Sequence, residues 1–426
     1  MKLAIKIAHC IVLLSLSNTS IAEQTELLTL QTALKIAVLD NPNLAQMQMR
    51  SQAMAAIPSQ LGSLPDPVIS FNALNLPVNT FDLAQDNMTQ LQGGISQDIP
   101  FPGKLALREQ TAVYQAEAAV LDVTEVRWHL LRDVKKLWWT LFYIDRSLEI
   151  ILANQELLRQ FVNIARTKYE VGEGLQQDVL LAQLELSKLL DTDIRLKGAR
   201  DISCAQLNAL LDRSADQAIE LDNEFFGALP ALLNQSSLFQ QAEDSRAMLS
   251  AQRKTINAAQ LRLDLAKKNY YPDFKVGAFY GGRSDTLSGQ ERADLLTLKL
   301  SMSVPIFAAS KQRHAVDQRS SELMQQRYIL RDQWNQVRTE ISTAYSEFQQ
   351  TKKQVVLFNS GIIPQARQTV ASMLAGYQVN KVDFLNLVRS QITLYNYETQ
   401  YWKALTQANQ ALAQLIAVVG NEEIYE

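Results

Sequence analysis

From Val120 the apolar positions run Val120, Val123, Val126, Leu130, Val134, Leu137, Leu141, Ile144, Leu148 and Ile151, nine steps over 31 residues. That is about 3.4 residues per step, close to the coiled-coil repeat of about 3.5, and it predicts one apolar stripe along a helix. No proline falls between Pro102 and Pro230. A helix from about Leu105 to about Tyr169 would be on the order of 100 Å long at 1.5 Å per residue. Trp334, Val337, Ile341, Tyr345 and Phe348 repeat the pattern further on, and Trp138, Trp139 and Trp402 read as packing residues. Four shorter segments alternate with period 2 instead, the sign of a strand with one apolar face. The clearest sets Leu296, Leu298, Leu300, Met302 and Val304 against Thr297, Lys299, Ser301 and Ser303. Ile69, Phe71 and Ala73 oppose Ser70 and Asn72. Leu91, Gly93, Ile95 and Ile99 oppose Gln90, Gln92, Gly94, Ser96 and Asp98, with Gln97 breaking the apolar face. Phe274, Val276, Ala278 and Tyr280 oppose Lys275 and Gly277.

The elements come twice. Leu64-Pro65-Asp66-Pro67 recurs as Tyr271-Pro272-Asp273-Phe274 at an offset of 207, and Ile99-Pro100-Phe101 as Val304-Pro305-Ile306 at 205. Tyr169-Glu170-Val171, followed by Asp178-Val179-Leu180, recurs as Tyr377-Gln378-Val379, followed by Asp383-Phe384-Leu385. Solenoid repeats have periods of roughly 20–50 residues, so this is duplication of a domain-sized unit. The expected first repeat is 23–220, with a helix, a strand pair at 66–99 and a long helical hairpin at 103–212. The second is 221–426, with a strand pair at 273–304 and a hairpin at 308–420.

Composition places these elements in a compartment. Lys2 and Lys6, then Ile11-Val12-Leu13-Leu14, then Ser20-Ile21-Ala22 have the order of a secretory signal peptide over 1–22. Its removal leaves 404 residues, 39 Lys and Arg against 44 Asp and Glu, and a single cysteine, Cys204, which reads as a small packed residue. The slightly acidic balance and the lack of a basic run argue against nucleic acid. No later stretch has 18 consecutive apolar residues, so an exported chain of this kind would cross a membrane through strands. Alternating segments alone also suit a soluble hairpin. Their separation by about 200 residues, with the helices already facing one another, favours membrane lipid. Four strands cannot close a barrel, since known barrels start at about 8, so chains must pool them; two would give 8 strands and three would give 12.

The arrangement resembles the TolC-like family of outer-membrane efflux channels over nearly the whole mature chain. The likeness rests on the duplication, the order of elements and two turn motifs. These are Tyr169-Glu170-Val171-Gly172 with Asp178-Val179-Leu180-Leu181-Ala182, and Ala375-Gly376-Tyr377 with Val382-Asp383-Phe384-Leu385. The run from Thr393-Leu394-Tyr395-Asn396 to Leu415 looks like the family's return helix. The resemblance implies a mostly α-helical fold with a membrane β-barrel contribution, formed by a homotrimer in outer-membrane lipid with a periplasmic α-barrel. It implies turns near Gly172 and Asn380 that close the tunnel and meet a periplasmic adaptor, with Tyr169, Val171, Tyr377 and Val379 around them. Asp383 matches an acidic ring position at the constriction; Asn386 stands where a second acid is usual, and Asp178 is the acid of the first turn. Asp383 also precedes an apolar helical run, so it suits a helix N-cap, and both roles stay open. The second turn carries Asn380 in place of glycine and is expected to be about three residues shorter than the first.

Gln97-Asp98-Ile99-Pro100-Phe101-Pro102-Gly103-Lys104 is similar to the strand-to-helix junction of channels serving heavy-metal pumps. Prolines there end strand pairing whatever the cargo. Met47, Met49 and Met54 could suggest soft-metal contacts, but their spacing suits helix packing better. His129 and His314 stand alone. No catalytic or cofactor motif is present. The expectation is a passive exit duct of a tripartite efflux system, with an adaptor and an inner-membrane RND-type pump, and heavy-metal ions as one cargo. Drug efflux or type I protein secretion is the alternative cargo class, and a periplasmic coiled-coil adaptor the rival of another class.

Overall fold

The computed structural model describes residues 27–222 and 228–425. The expected signal peptide lies outside them. In chain order the elements are α1 (Leu30–Asp40), α2 (Pro42–Ala55), α3 (Ile57–Gly62), β1 (Val68–Leu74), β2 (Gln90–Ile99), α4 (Lys104–Glu170) and α5 (Gln176–Leu210). Then follow α6 (Gln235–Ser245), α7 (Ala247–Lys268), β3 (Phe274–Gly282), β4 (Leu295–Met302), α8 (Gln312–Leu357), α9 (Ile363–Gln378) and α10 (Phe384–Val419).

The four strands form one antiparallel sheet in the order β1-β2-β3-β4, leaving β1 and β4 as open edges. The register brings like faces together. Ile69 pairs with Ile95, Ile95 with Ala278, and Ala278 with Leu298; Phe71 pairs with Gly93, Gly93 with Tyr280, and Tyr280 with Leu296. The apolar sets of all four strands therefore share one face, since strand side chains alternate with period 2. That face is bare: Phe71 is 85% exposed and Leu298 77%. The opposite, mostly polar face also carries Val68, Leu74, Leu295 and the ring of Phe279. A Cβ on Gly94 would stand 2.2 Å from that ring, so the glycine makes room for it.

α4 is 67 residues long and pairs with α5 as a hairpin; α10 packs against both α4 and α8. The stripe read from the sequence is buried from Leu130 and Val134 through Leu141 and Ile144 to Ile151, while Val120 is 55% exposed. The difference has a packing cause. Nearer the sheet α4 packs against α2, α3 and α7, and small residues, Ala112, Ala116, Ala118 and Ala119, are buried there in place of Val120. Trp138 and Trp139 are buried, and Trp138 Nε1 donates to the Leu28 carbonyl oxygen at 3.1 Å. Val337, Ile341 and Phe348 are fully buried in a second core with Leu415 and Val419.

The second long helix departs from expectation at both ends of its first segment. It begins at Gln312 rather than 308, because 306–311 forms a turn in which Lys311 N–H bonds the Phe307 carbonyl oxygen at 2.9 Å. It is also interrupted, since Phe358–Ile362 is a π-helical turn between α8 and α9, just before Pro364. Among the described residues no helix is long and apolar enough to cross a membrane.

Candidate functional site: the two turns at the far end of the helices

α4 starts beside the sheet and ends about 100 Å away by its length at 1.5 Å per residue. There the turns α4–α5 and α9–α10 lie side by side. Both follow one design. Glu173 N–H bonds the Lys168 carbonyl oxygen at 2.8 Å and Gly172 N–H that of Tyr169 at 3.1 Å; Lys381 bonds Gly376 at 2.9 Å and Asn380 bonds Tyr377 at 3.2 Å. This is the paired-bond helix ending that needs a left-handed residue, and Gly172 (φ +79°) and Asn380 (φ +56°) supply it. Asparagine tolerates that region better than most residues.

Each turn spans five residues, 171–175 and 379–383, so the expectation of a shorter second turn is corrected. A constant offset of 208 runs from Tyr169/Tyr377 through both turns. Leu175 and Asp383 hold the same N-cap place, and Asp178 and Asn386 the same place three residues on; Asp178 N–H bonds Leu175 and Asn386 N–H bonds Asp383, each at 3.1 Å. Matching Asp178 to Asp383 by residue type had misaligned the two copies by three positions.

Asp383 has the extended backbone of a cap (φ −72°, ψ 147°), but its side chain makes no capping hydrogen bond. Asp178 stands in the first turn of α5. Burial pushes its carboxyl up, a hydrogen bond to the Leu175 backbone opposes this, and the nearby Asp383 charge raises it further. The carboxylates of Asp178 on α5 and Asp383 at the start of α10 are thus near enough for one charge to act on the other. Tyr377 is buried, while Tyr169 is 48% exposed. The Tyr377 ring lies 5.3 Å from Phe384, and its phenol is pushed up by burial and by Asp178. Val171 and Val379 are exposed at the outermost points. Lys168 was missed in the sequence because it reads as one more exposed helical cation. Its Nζ donates to the Tyr377 carbonyl oxygen and to Asn380 Oδ1 and lies 4.4 Å from the Tyr377 ring centroid.

Elsewhere Met47 and Met54 are half-buried and Met49 is exposed, His129 pairs with Glu125, and His314 is exposed. Among the described residues no three His, Cys, Asp or Glu cluster closely enough to hold a metal ion.

Long paired helices hung from a sheet that is apolar on one bare face define a membrane-anchored channel subunit. The chain belongs to the outer membrane efflux protein family, whose profile matches residues 33–213 and 238–421. It is therefore an outer-membrane efflux channel protein and not an enzyme. The cobalt-zinc-cadmium resistance protein CzcC of Cupriavidus metallidurans is 21% identical over 405 residues, 92% of this chain and 90% of its own length. Among solved structures, the outer membrane protein VceC from Vibrio cholerae matches with TM-score 0.78 at 16% identity, over 92% of this chain and 96% of that one. CusC matches with TM-score 0.76 at 16% identity, over 92% of each chain.

Proposed function

We propose that three copies join edge to edge into one 12-stranded barrel in the outer membrane, and that their helical hairpins form a periplasmic exit duct for heavy-metal ions. The carrying observation is the in-register apolar face on a four-stranded sheet with two open edges. Exposed edges in hydrocarbon would leave backbone groups unpaired, so the edges must close on other copies. The chain is a duplicated unit with repeats 23–220 and 221–426, each giving one hairpin of strands and one of helices. An inner-membrane RND-type pump drives export through a periplasmic adaptor. The adaptor meets the turns at Tyr169, Val171, Gly172, Tyr377, Val379 and Asn380, and Asp383 and Asp178, with Asn386, line the narrow end. The likeness to CzcC supports the metal cargo.

Protein purified from the outer membrane should have the mass of three chains and conduct ions in a planar bilayer. Cells lacking it should become sensitive to cobalt, zinc or cadmium salts. Sensitivity to organic drugs alone would overturn the cargo, and a single-chain mass would overturn the barrel.

A further inference from the structure

Inside the chain, the joint between the two halves is closed at the foot of the β2–β3 seam by Lys104. Its Nζ lies 2.8 Å from Asp273 Oδ1 and 3.2 Å from the Tyr271 carbonyl oxygen, and the same carboxylate oxygen accepts Phe101 N–H at 2.7 Å. Only 3% of the Lys104 side chain is exposed. The rings of Phe101 and Tyr271 stack at 4.6 Å beside it.

The duplication gives each partner a counterpart at the same offset. Asp273 lies 207 positions after Asp66, and Lys104 lies 207 positions before Lys311. Asp66 precedes β1 and Lys311 follows β4, so they sit at the two open edges of the sheet. Both are exposed, and neither side chain has an ion-pair or hydrogen-bond partner among the described residues. A chain cannot bring its own outer edges together while β2 and β3 lie between them.

We infer that Lys311 of one copy and Asp66 of the next form the ion pair that seals each joint between subunits, as Lys104 and Asp273 seal the joint within a subunit. This rests on the reading of the sheet as part of a closed ring of identical copies.

Two independent features suit a second copy there. Carrying the β2–β3 register onto the free edges, with the offsets of 205 and 207, sets Leu300 opposite Phe71 and Met302 opposite Ile69, apolar against apolar. The exposed Ile306 and Leu64 then take the places of Phe101 and Tyr271. Lower down, α7 lies on α4 through Lys254–Glu117 at 2.8 Å and Arg246–Glu125 at 2.6 Å. Glu117 and Glu125 correspond to Met324 and Asp332, which line an open groove of about 710 Å³ on α8 with Tyr328 and Ile329. The counterpart of α7 is α2 with α3, and the counterpart of Lys254 is Met47. The next copy's α2 therefore fills this groove and sets one methionine against another.

The test is zero-length carbodiimide coupling of the purified full-length protein, with peptide mapping of the bands on a denaturing gel. A peptide containing Lys311 joined to one containing Asp66 should appear in the two- and three-chain bands. It should be absent in Lys311→Gln and in Asp66→Asn. Asp66→Lys and Lys311→Asp should each lower the detergent-resistant oligomer at least about threefold, and the double exchange should restore it, the signature of direct coupling. An oligomer of unchanged mass without the Lys311–Asp66 link would overturn the pair and leave the ring standing. A single-chain mass would overturn the ring and the pair together.

Discussion

Lys168 Nζ donates to the Tyr377 carbonyl oxygen across 3.3 Å, so the last turn of α4 holds the turn between α9 and α10. The two turns are bonded to each other as well as within themselves. Anything that opens one must release the other.

Lys168→Met keeps the aliphatic stem and removes the charge. Hydrogen bonds to charged groups contribute about 1.5–3 kcal/mol, so amide exchange at Asn380 and Lys381 should speed roughly tenfold or more. Unchanged exchange at those amides would show that the second turn stands without the lysine.

Acid should favour the closed turns. The Asp178 carboxyl is raised above its ordinary 3.8 by burial and by Asp383. Its protonated form therefore suits the packed state. That stabilisation is complete below the unfolded value and is lost as pH rises through the raised one. In a planar bilayer, open probability should fall as pH drops from neutrality to about 4. Asp178→Asn should flatten the profile and Asp383→Asn should shift it toward lower pH. A steeper response in Asp178→Asn would place the titrating group elsewhere.

Charge selectivity should need both acids removed. Asp383 has no capping bond to lose, so Asp383→Asn and Asp383→Ala should be equally stable. Each alone should weaken cation preference only in part, because Asp178 remains beside it. Bi-ionic reversal potentials of the single and double variants decide this. Loss of all preference in Asp383→Asn alone would mean that Asp178 does not face the ion path.

On the sheet, Leu298→Arg should block assembly in the outer membrane, at about 2–4 kcal/mol per site near the bilayer midplane. Thr297→Arg, on the opposite face, should assemble. Equal losses in a membrane-fractionation assay would show that the apolar face does not meet lipid.

Arg246 and Glu125 lock α7 to α4 and α10. The guanidinium Nη2 lies 2.6 Å from Glu125 Oε1, and Nη1 donates to the Ala417 carbonyl oxygen. Burial alone would raise the Glu125 carboxyl, but the His129 hydrogen bond and the Arg246 charge bring it below its ordinary value. Arg246→Ala leaves that buried carboxylate to His129 and the Met248 N–H alone and should cost about 3 kcal/mol. Arg246→Met with Glu125→Leu should recover most of it, read as the melting temperature in detergent. No recovery would mean the guanidinium acts through its backbone contact.

Much of the fold was legible because period reports which side chains share a face. The stripe from Leu130 to Ile151 and the parity of Leu296, Leu298 and Leu300 follow from that local property, the first buried against other helices and the second gathered on the bare face of the sheet. The turns were less legible for two physical reasons. Lys168 acts on Tyr377, 209 positions away, and nothing in its neighbours announces a contact made only after the hairpins pack. The pairing of Asp178 with Asp383 followed residue type, whereas the backbone bonds follow position, and only they reveal that Leu175 and Asp383 are the equivalent pair. Val120 failed for a third reason. A stripe names a face, but the partners change along α4 from α10 to α7 with α2 and α3.

The π-helical turn at Phe358–Ile362 balances a discrepancy of a single residue between the copies. Val134 and Ile341 stand 207 positions apart, as do Leu141 and Phe348, and all four are fully buried; Tyr169 and Tyr377 stand 208 apart. One residue has been gained between those levels. In an unbroken α-helix it would rotate everything beyond it by about 100° and carry Tyr377 away from Phe384 and Lys168. The widened turn takes up the surplus as a local coil of larger girth, so the two halves arrive at the tip in phase. The chain thus keeps its inherited pseudo-symmetry at the tip, where both copies meet, and carries the mismatch inside the helix, nearer the tip than the sheet.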